Sequence, residues 1–352
     1  MLDWPDDLGD LSLAADADAA KVETVARCLG RVLNWGGLAL FIGAGVSKVI
    51  DLPMWTKLNS NIVQGAAAIL EELFPKIWCN DFKSRLPTPD DLQNQTDVLE
   101  LLDRVEKVCS ACETLAYDGA ANDEKYVGNA PSWHEIVRRS LYQGAQQYKF
   151  EAMFHPELVS LCSLLIGYRR GNVREVVTFN YDDLIQSYLR LHGHSCNVVS
   201  PLPFELSPNS GTTFYHPHGY LPLQDKEHRA SPFIVLTKQA YRPVRSGAKR
   251  HAKQWRRLIA SLLSVRIGLF VGISGNDDIL ELYFDETEEL AGEPIHGRPL
   301  AFAILVGEHN RPAKKWLEDK IIPLEFPNPD AVARFLAQIC QQAALLLRAS
   351  VN

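Results

Sequence analysis

Five consecutive apolar residues, Leu38-Ala39-Leu40-Phe41-Ile42, run directly into the small-residue stretch Gly43-Ala44-Gly45-Val46-Ser47. A run with no polar alternation reads as a strand buried on both faces, which is how strands look in parallel sheets covered by helices. Further strands are expected at Val173 to Phe179, Phe233 to Leu236, Ile267 to Val271, Leu300 to Val306 and Ile321 to Phe326, with helical patterns between several of them. Strands alternating with helices predict an α/β fold: a Rossmann-like parallel sheet with helices on both faces.

Helices are expected before and after this series. Val22, Val25, Ala26, Leu29 and Leu33 recur at spacings of three and four and predict a helix from about Asp16 to Leu33. Asp330 to Arg348 predicts a closing helix. From Leu58 to Phe154 the pattern is mainly helical, with loop chemistry at Pro87-Thr88-Pro89 and around Gly128 to Pro131. This stretch, about 58–154, reads as a helical insertion or subdomain. With 352 residues, a single elaborated domain over 1–352 is expected, since one core with insertions accommodates that length.

A hydrophobic fraction of 46%, a charged fraction of 22% and a net charge of −7 describe a soluble globular chain, not one that coats nucleic acid. No window reaches the roughly 18 uninterrupted apolar residues of a membrane span. Met1 to Asp18 is acidic and lacks the basic start and apolar stretch of a secretion signal, so a cytoplasmic location is expected. Seven scattered cysteines read as reduced thiols. Cys109 and Cys112 form a close pair, but no second pair or Cys/His cluster completes a zinc site, and no metal is expected. Arg229 to Asn276 contains no Asp or Glu but carries Arg242, Arg245, Lys249, Arg250, Lys253, Arg256 and Arg257. It reads as a solvated helix face or a pairing surface for an acidic partner, ahead of direct nucleic-acid contact.

The glycines of Gly43-Ala44-Gly45 permit close approach of a diphosphate to the main chain, where unpaired N–H groups at a helix N-terminus could hold it, with Ser47 adding a hydroxyl. A tight turn needed for packing alone reads the same way, and the third glycine of the dehydrogenase fingerprint is missing. Thr178-Phe179-Asn180-Tyr181-Asp182-Asp183 places an amide and carboxylates at the end of a strand, where open α/β sheets bind ligands. Asn180 and Asp182 also suit the start of a helix near Leu184. His216-Pro217-His218-Gly219 and Gly272-Ile273-Ser274-Gly275-Asn276-Asp277-Asp278 complete four loops that could line one crevice.

Taken in order, G-A-G-V-S, T-F-N-Y-D, H-G and G-I-S resemble the sirtuin superfamily, specifically the bacterial sirtuin-like domains of the anti-phage defence type. Leu52-Pro53-x-Trp55 is similar to the same branch. The resemblance implies that NAD+ is bound as a substrate. It implies diphosphate contacts from Gly43, Ala44, Gly45 and Ser47, with Thr178, Asn180 and Asp182 in the family's T-x-N-x-D motif near the nicotinamide ribose. His218 matches the catalytic histidine, Gly272 and Ser274 the adenosine-side loop, and Asp277 or Asp278 a cap on the next helix; His216 has no counterpart. Sirtuin deacetylases carry a four-cysteine zinc module after the histidine motif, whereas no cysteine lies between Cys196 and Cys340 here.

The implied activity is therefore NAD+ glycohydrolysis, yielding nicotinamide and ADP-ribose, with Asn180, His218 and Asp182 as catalytic residues. A histidine ordinarily titrates near pH 6.5 and so can take a proton at neutral pH. An inactive NAD-binding regulator and an NAD-dependent protein deacylase remain open. The resemblance also implies homo-oligomers, or gating by a HerA-type ATPase or a short Argonaute.

Overall fold

The computed structural model describes residues 8–351 except 89, 92–96, 120–131, 146, 168–170, 201–210, 225–229, 247–249, 274–277, 292–297 and 308–312. Seven strands form one sheet: β1 Leu38–Ile42, β2 Glu175–Thr178, β3 Cys196–Val199, β4 Thr212–Tyr215, β5 Ile267–Val271, β6 Ala301–Val306 and β7 Ile321–Phe326. Their order is β3-β4-β2-β1-β5-β6-β7, and every pairing is parallel.

Each face of the sheet takes alternate side chains, as the two-residue period of a strand demands. Leu38, Leu40 and Ile42 point into a core shared with Leu29 of the helix Ala19–Asn34 and Ile339 of the helix Pro329–Val351. Ala39 and Phe41 point into the opposite core, with Trp255 and Ile259 of the helix Arg250–Val265 and Tyr283 of the helix Asp278–Ala291. The helix starting at Ala19 is capped by the Asp18 carboxylate, which accepts from Lys21 N–H at 2.8 Å.

The predicted sheet differs from the observed one at three places. Phe233 to Leu236 is no strand. Its backbone is engaged elsewhere: Val235 N–H donates to His218 O at 2.8 Å and Val235 O accepts from the Tyr181 hydroxyl at 2.8 Å. The other two differences are β3 and β4, short strands whose polar starts hide them from an apolar-run criterion.

The helices Trp55–Leu73, Asn80–Arg85, Val98–Gly119 and Ser132–Tyr142 enclose a third core around Ile62, Leu70, Leu101 and Ile136. Tyr181, Leu221 and Leu236 join that core from the sheet's C-terminal loops, which seats the helical layer above that edge. Cys109 and Cys112 lie one turn apart on a helix and are buried there, and burial raises both thiols' pKa, that of Cys112 to about 11. Among the described residues no helix is long and apolar enough to cross a membrane.

Candidate functional site

Chain order reverses direction about β1, because β2 continues to one side and β5 to the other. Loops leaving the C-terminal ends of strands on either side of such a reversal diverge and leave a crevice. The loops after β1, β2, β4 and β5 meet there and line a cleft of about 520 Å³, within the range of small-molecule sites.

Two of those loops touch each other. Gly43 N–H donates to Val271 O and Gly45 N–H to Gly272 O, both at 3.0 Å, and Val46 N–H donates to Gly43 O at 3.1 Å. A Cβ on Gly45 would lie 2.7 Å from Gly272 Cα, and one on Gly43 would collide with Gly272 O. The glycine run is therefore required by loop-to-loop contact. The expectation of unpaired N–H groups at the start of the following helix is thereby corrected for Gly45 and Val46, whose amides have protein acceptors, and that helix, Ala44–Ser47, is only one turn long. Gly43, Ala44 and Gly272 line the cleft; Gly45 does not.

Beside this contact lies a buried polar chain. Ser47 Oγ donates to Asp182 Oδ2 at 2.7 Å and accepts from Asn180 Nδ2 at 2.9 Å, while Asn180 Nδ2 also donates to Gly43 O at 3.1 Å. The Ser47 proton is thus directed to Asp182, not to an incoming phosphate. Both Asn180 amide protons face protein acceptors, and a carbonyl partner settles which side-chain atom is nitrogen. The carboxamide oxygen Oδ1 is left as the acceptor of a residue that lines the cleft. Asp182 Oδ1 accepts from Leu184 N–H at 3.1 Å, so this carboxylate also serves the start of the helix Leu184–Leu191. Burial pushes the Asp182 carboxyl up to about 6, against the opposing pull of the Ser47 and Leu184 hydrogen bonds and with a smaller push from Asp183. Thr178 does not line the cleft; its hydroxyl accepts from Asn180 N–H at 3.2 Å and shapes the turn.

The loop after β4 supplies two histidines with different surroundings. His218 lines the cleft with its ring 5.2 Å from Phe179 and 6.2 Å from Tyr241 between centroids. His216 is wholly buried: Nδ1 lies 3.0 Å from Asn180 O and Nε2 lies 2.7 Å from Gln186 Nε2. Burial lowers its pKa to about 4, partly offset by the Asn180 carbonyl and the nearby Asp183 charge.

Asp183, beside the motif residue Asp182, is a buried carboxylate with several partners. Its Oδ1 accepts from the Tyr148 hydroxyl at 2.9 Å and Leu223 N–H at 3.0 Å, while the Tyr142 hydroxyl, 3.4 Å away, donates its one proton to Leu221 O at 2.7 Å. Its Oδ2 accepts from Ser187 Oγ at 2.8 Å. This carboxylate ties the helical layer to the loop that carries Asn180 and Asp182. The adjacent Asp182-Asp183 pair was the only hint of it in the sequence. Leu52, Met54 and Trp55 form the outer apolar wall of the cleft, with Met54 and Trp55 partly open to solvent. Ser274 and Asp277 lie outside the described residues. Among the described residues no cluster of three or more His, Cys, Asp or Glu could hold a metal ion.

The model of the SIR2-like domain family matches residues 174–323, and no curated protein matches the chain. The matched segment runs from the start of β2 into β7 and takes in Asn180, Asp182, His218 and Gly272. The match covers somewhat less than half of the chain, which over that segment is similar to the SIR2-like domain family, and the seven-stranded parallel sheet with these residues at its C-terminal edge agrees with that likeness.

Proposed function

We propose that the chain is an NAD+ glycohydrolase that breaks the bond between nicotinamide and ribose. The observation behind this reading is that Asn180, Asp182 and His218 line one cleft, with Asn180 held so that its Oδ1 is the acceptor left for a ligand. Nicotinamide leaves as a neutral molecule from a cationic precursor, so no strong acid is needed. The enzyme must stabilise an oxocarbenium-like ribose and deliver water to it, as in other glycosidic cleavages.

Asn180 Oδ1 accepts a hydrogen bond from that water or from a ribose hydroxyl. The water oxygen bonds to the anomeric carbon, and its proton passes to His218. Asp182, ionised above about pH 6, contributes negative charge near the developing cation and steadies Asn180 through Ser47. Depletion of NAD+ in anti-phage defence, by a homo-oligomer or under a HerA-type ATPase or short Argonaute partner, is the finer reading and rests on motif resemblance alone.

Purified protein is expected to release nicotinamide from NAD+. Asn180→Ala and His218→Ala each lower turnover about a hundredfold or more. Full turnover in both variants rejects the assignment. Calorimetric binding of NAD+ without nicotinamide release, also in the presence of partner proteins, indicates an NAD-binding regulator instead, and turnover that needs an acetylated peptide indicates a deacylase.

A further inference from the structure

We propose that His216 is a positioning residue, which clamps the Asn180 loop to the His218 loop by donating from Nδ1 to Asn180 O. A carbonyl oxygen only accepts, so the contact at 3.0 Å requires the proton on Nδ1. Nε2 is then an acceptor, and the Gln186 amide at 2.7 Å supplies its donor. One bond selects the tautomer that makes the other, as commonly happens where histidine orients a neighbour. The ring has no solvent exposure, and burial favours the uncharged form that this pattern needs.

The His216 main chain is anchored independently. Its N–H donates to Val199 O at 2.9 Å, and its carbonyl accepts from Gly219 N–H at 3.1 Å. The ring therefore is not needed to finish β4. What it adds is a link to Asn180, two residues along the chain from Asp182 and joined to it through Ser47. His218 lies two residues from the clamp on the other side. A single imidazole thereby sets the relative placement of the two loops that bear the proposed catalytic residues.

This inference rests on the reading of Asn180 as the residue that orients the nucleophile. Two variants separate the ring's contacts. His216→Asn keeps a donor near the position of Nδ1, and His216→Gln keeps an acceptor near the position of Nε2. Nicotinamide release from NAD+ by the full chain is expected to show kcat lowered about ten- to hundredfold in H216Q, with KM within about threefold and most activity restored in H216N. Equal kcat in the two variants overturns the proposal. If H216Q does not fold, His216→Leu replaces it, because it removes the Nδ1 donor at similar side-chain volume; unchanged kcat there also overturns the proposal.

Exchange of the Asn180 side-chain amide protons, followed by NMR in protein labelled at asparagine, gives a second readout. If the wild type releases no nicotinamide, the glycohydrolase reading fails while the clamp is judged by this measurement. Exchange at least about tenfold faster in H216Q but not in H216N upholds it, and equal exchange overturns it.

Discussion

Asp182 occupies two roles that a sequence presents as alternatives, since one oxygen caps a helix and the other holds Ser47 in the cleft. Its raised pKa has a definite sign for stability. Between about pH 4, where an unfolded aspartate ionises, and about pH 6, where the folded one does, the native state binds more protons, so stability falls as pH rises. Replacing Asp182 by Asn should remove the Asp182 contribution, on the order of 2 kcal/mol between pH 4 and 6, so the melting temperature of D182N gains on the wild type as pH rises through that window. A melting-temperature difference between D182N and the wild type that stays constant from pH 4 to 6 would contradict the buried carboxyl. The Asn180 and Ser47 partnerships could not be read from T-x-N-x-D and G-A-G-x-S separately, because 133 positions separate the two side chains and only folding brings them within 2.9 Å.

At the scale of elements, the strand–loop units after β1 and β5 act as one part. Gly272 has φ +70°, and a Cβ there would lie 2.6 Å from Val46 N. Gly272→Ala should therefore lose about 2–4 kcal/mol in denaturant unfolding, from left-handed strain plus overpacking. A loss below about 1 kcal/mol would show that the loops separate readily. On the face opposite the helix Arg250–Val265, the helices Pro156–Ser163 and Pro329–Val351 pack against each other. Burial, with a smaller push from Asp330, raises Glu157 to about 7. Its ionised form is thus disfavoured in the fold, and stability declines from about pH 4.5 to about 7. Glu157→Gln should raise the melting temperature at pH 8 and change it little at pH 4; the reverse order would contradict the sign. The long apolar strands were legible because burial on both faces leaves no polar residue in the run. β3 and β4 were not, since Cys196, Asn197, Thr212 and Thr213 take part in strands only because neighbours are present.

Across the whole molecule, the helical core around Ile62, Leu101 and Ile136 is distinct from the two cores that flank the sheet. Asp183 is a polar tie between that layer and the cleft, through the Tyr148 hydroxyl with the Tyr142 ring beside it. Native-state hydrogen exchange of Asp183→Ala should show faster opening of Ser132–Tyr142 with β1 and β5 still protected, together with lower nicotinamide release. Uniform loss of protection would instead make Asp183 a general stability residue. Within the acid-free stretch 229–276, the helix Arg250–Val265 places Trp255, Ile259 and Leu263 in the core and leaves Arg250, Lys253 and Arg257 exposed, whereas Arg242 and Arg245 are exposed on a separate helix, Lys238–Ser246, and Lys249 lies outside the described residues. Arg256 is turned back onto the Val244 and Arg245 carbonyls.

The apolar runs, their helical intervals and the glycine-rich turns determine an α/β parallel sheet from local sequence alone, because burial on both faces and tight strand-to-helix turns each leave a short-range pattern. The motif residues Asn180, Asp182 and His218 are likewise visible locally. Which of their atoms are left for a ligand is a tertiary matter: the Val271 and Gly272 carbonyls take the Gly43 and Gly45 amides, Ser47 goes to Asp182, and His216 reaches the Asn180 carbonyl. Hydrogen bonds between loops far apart in sequence decide those partnerships, and no residue pattern within one loop encodes them.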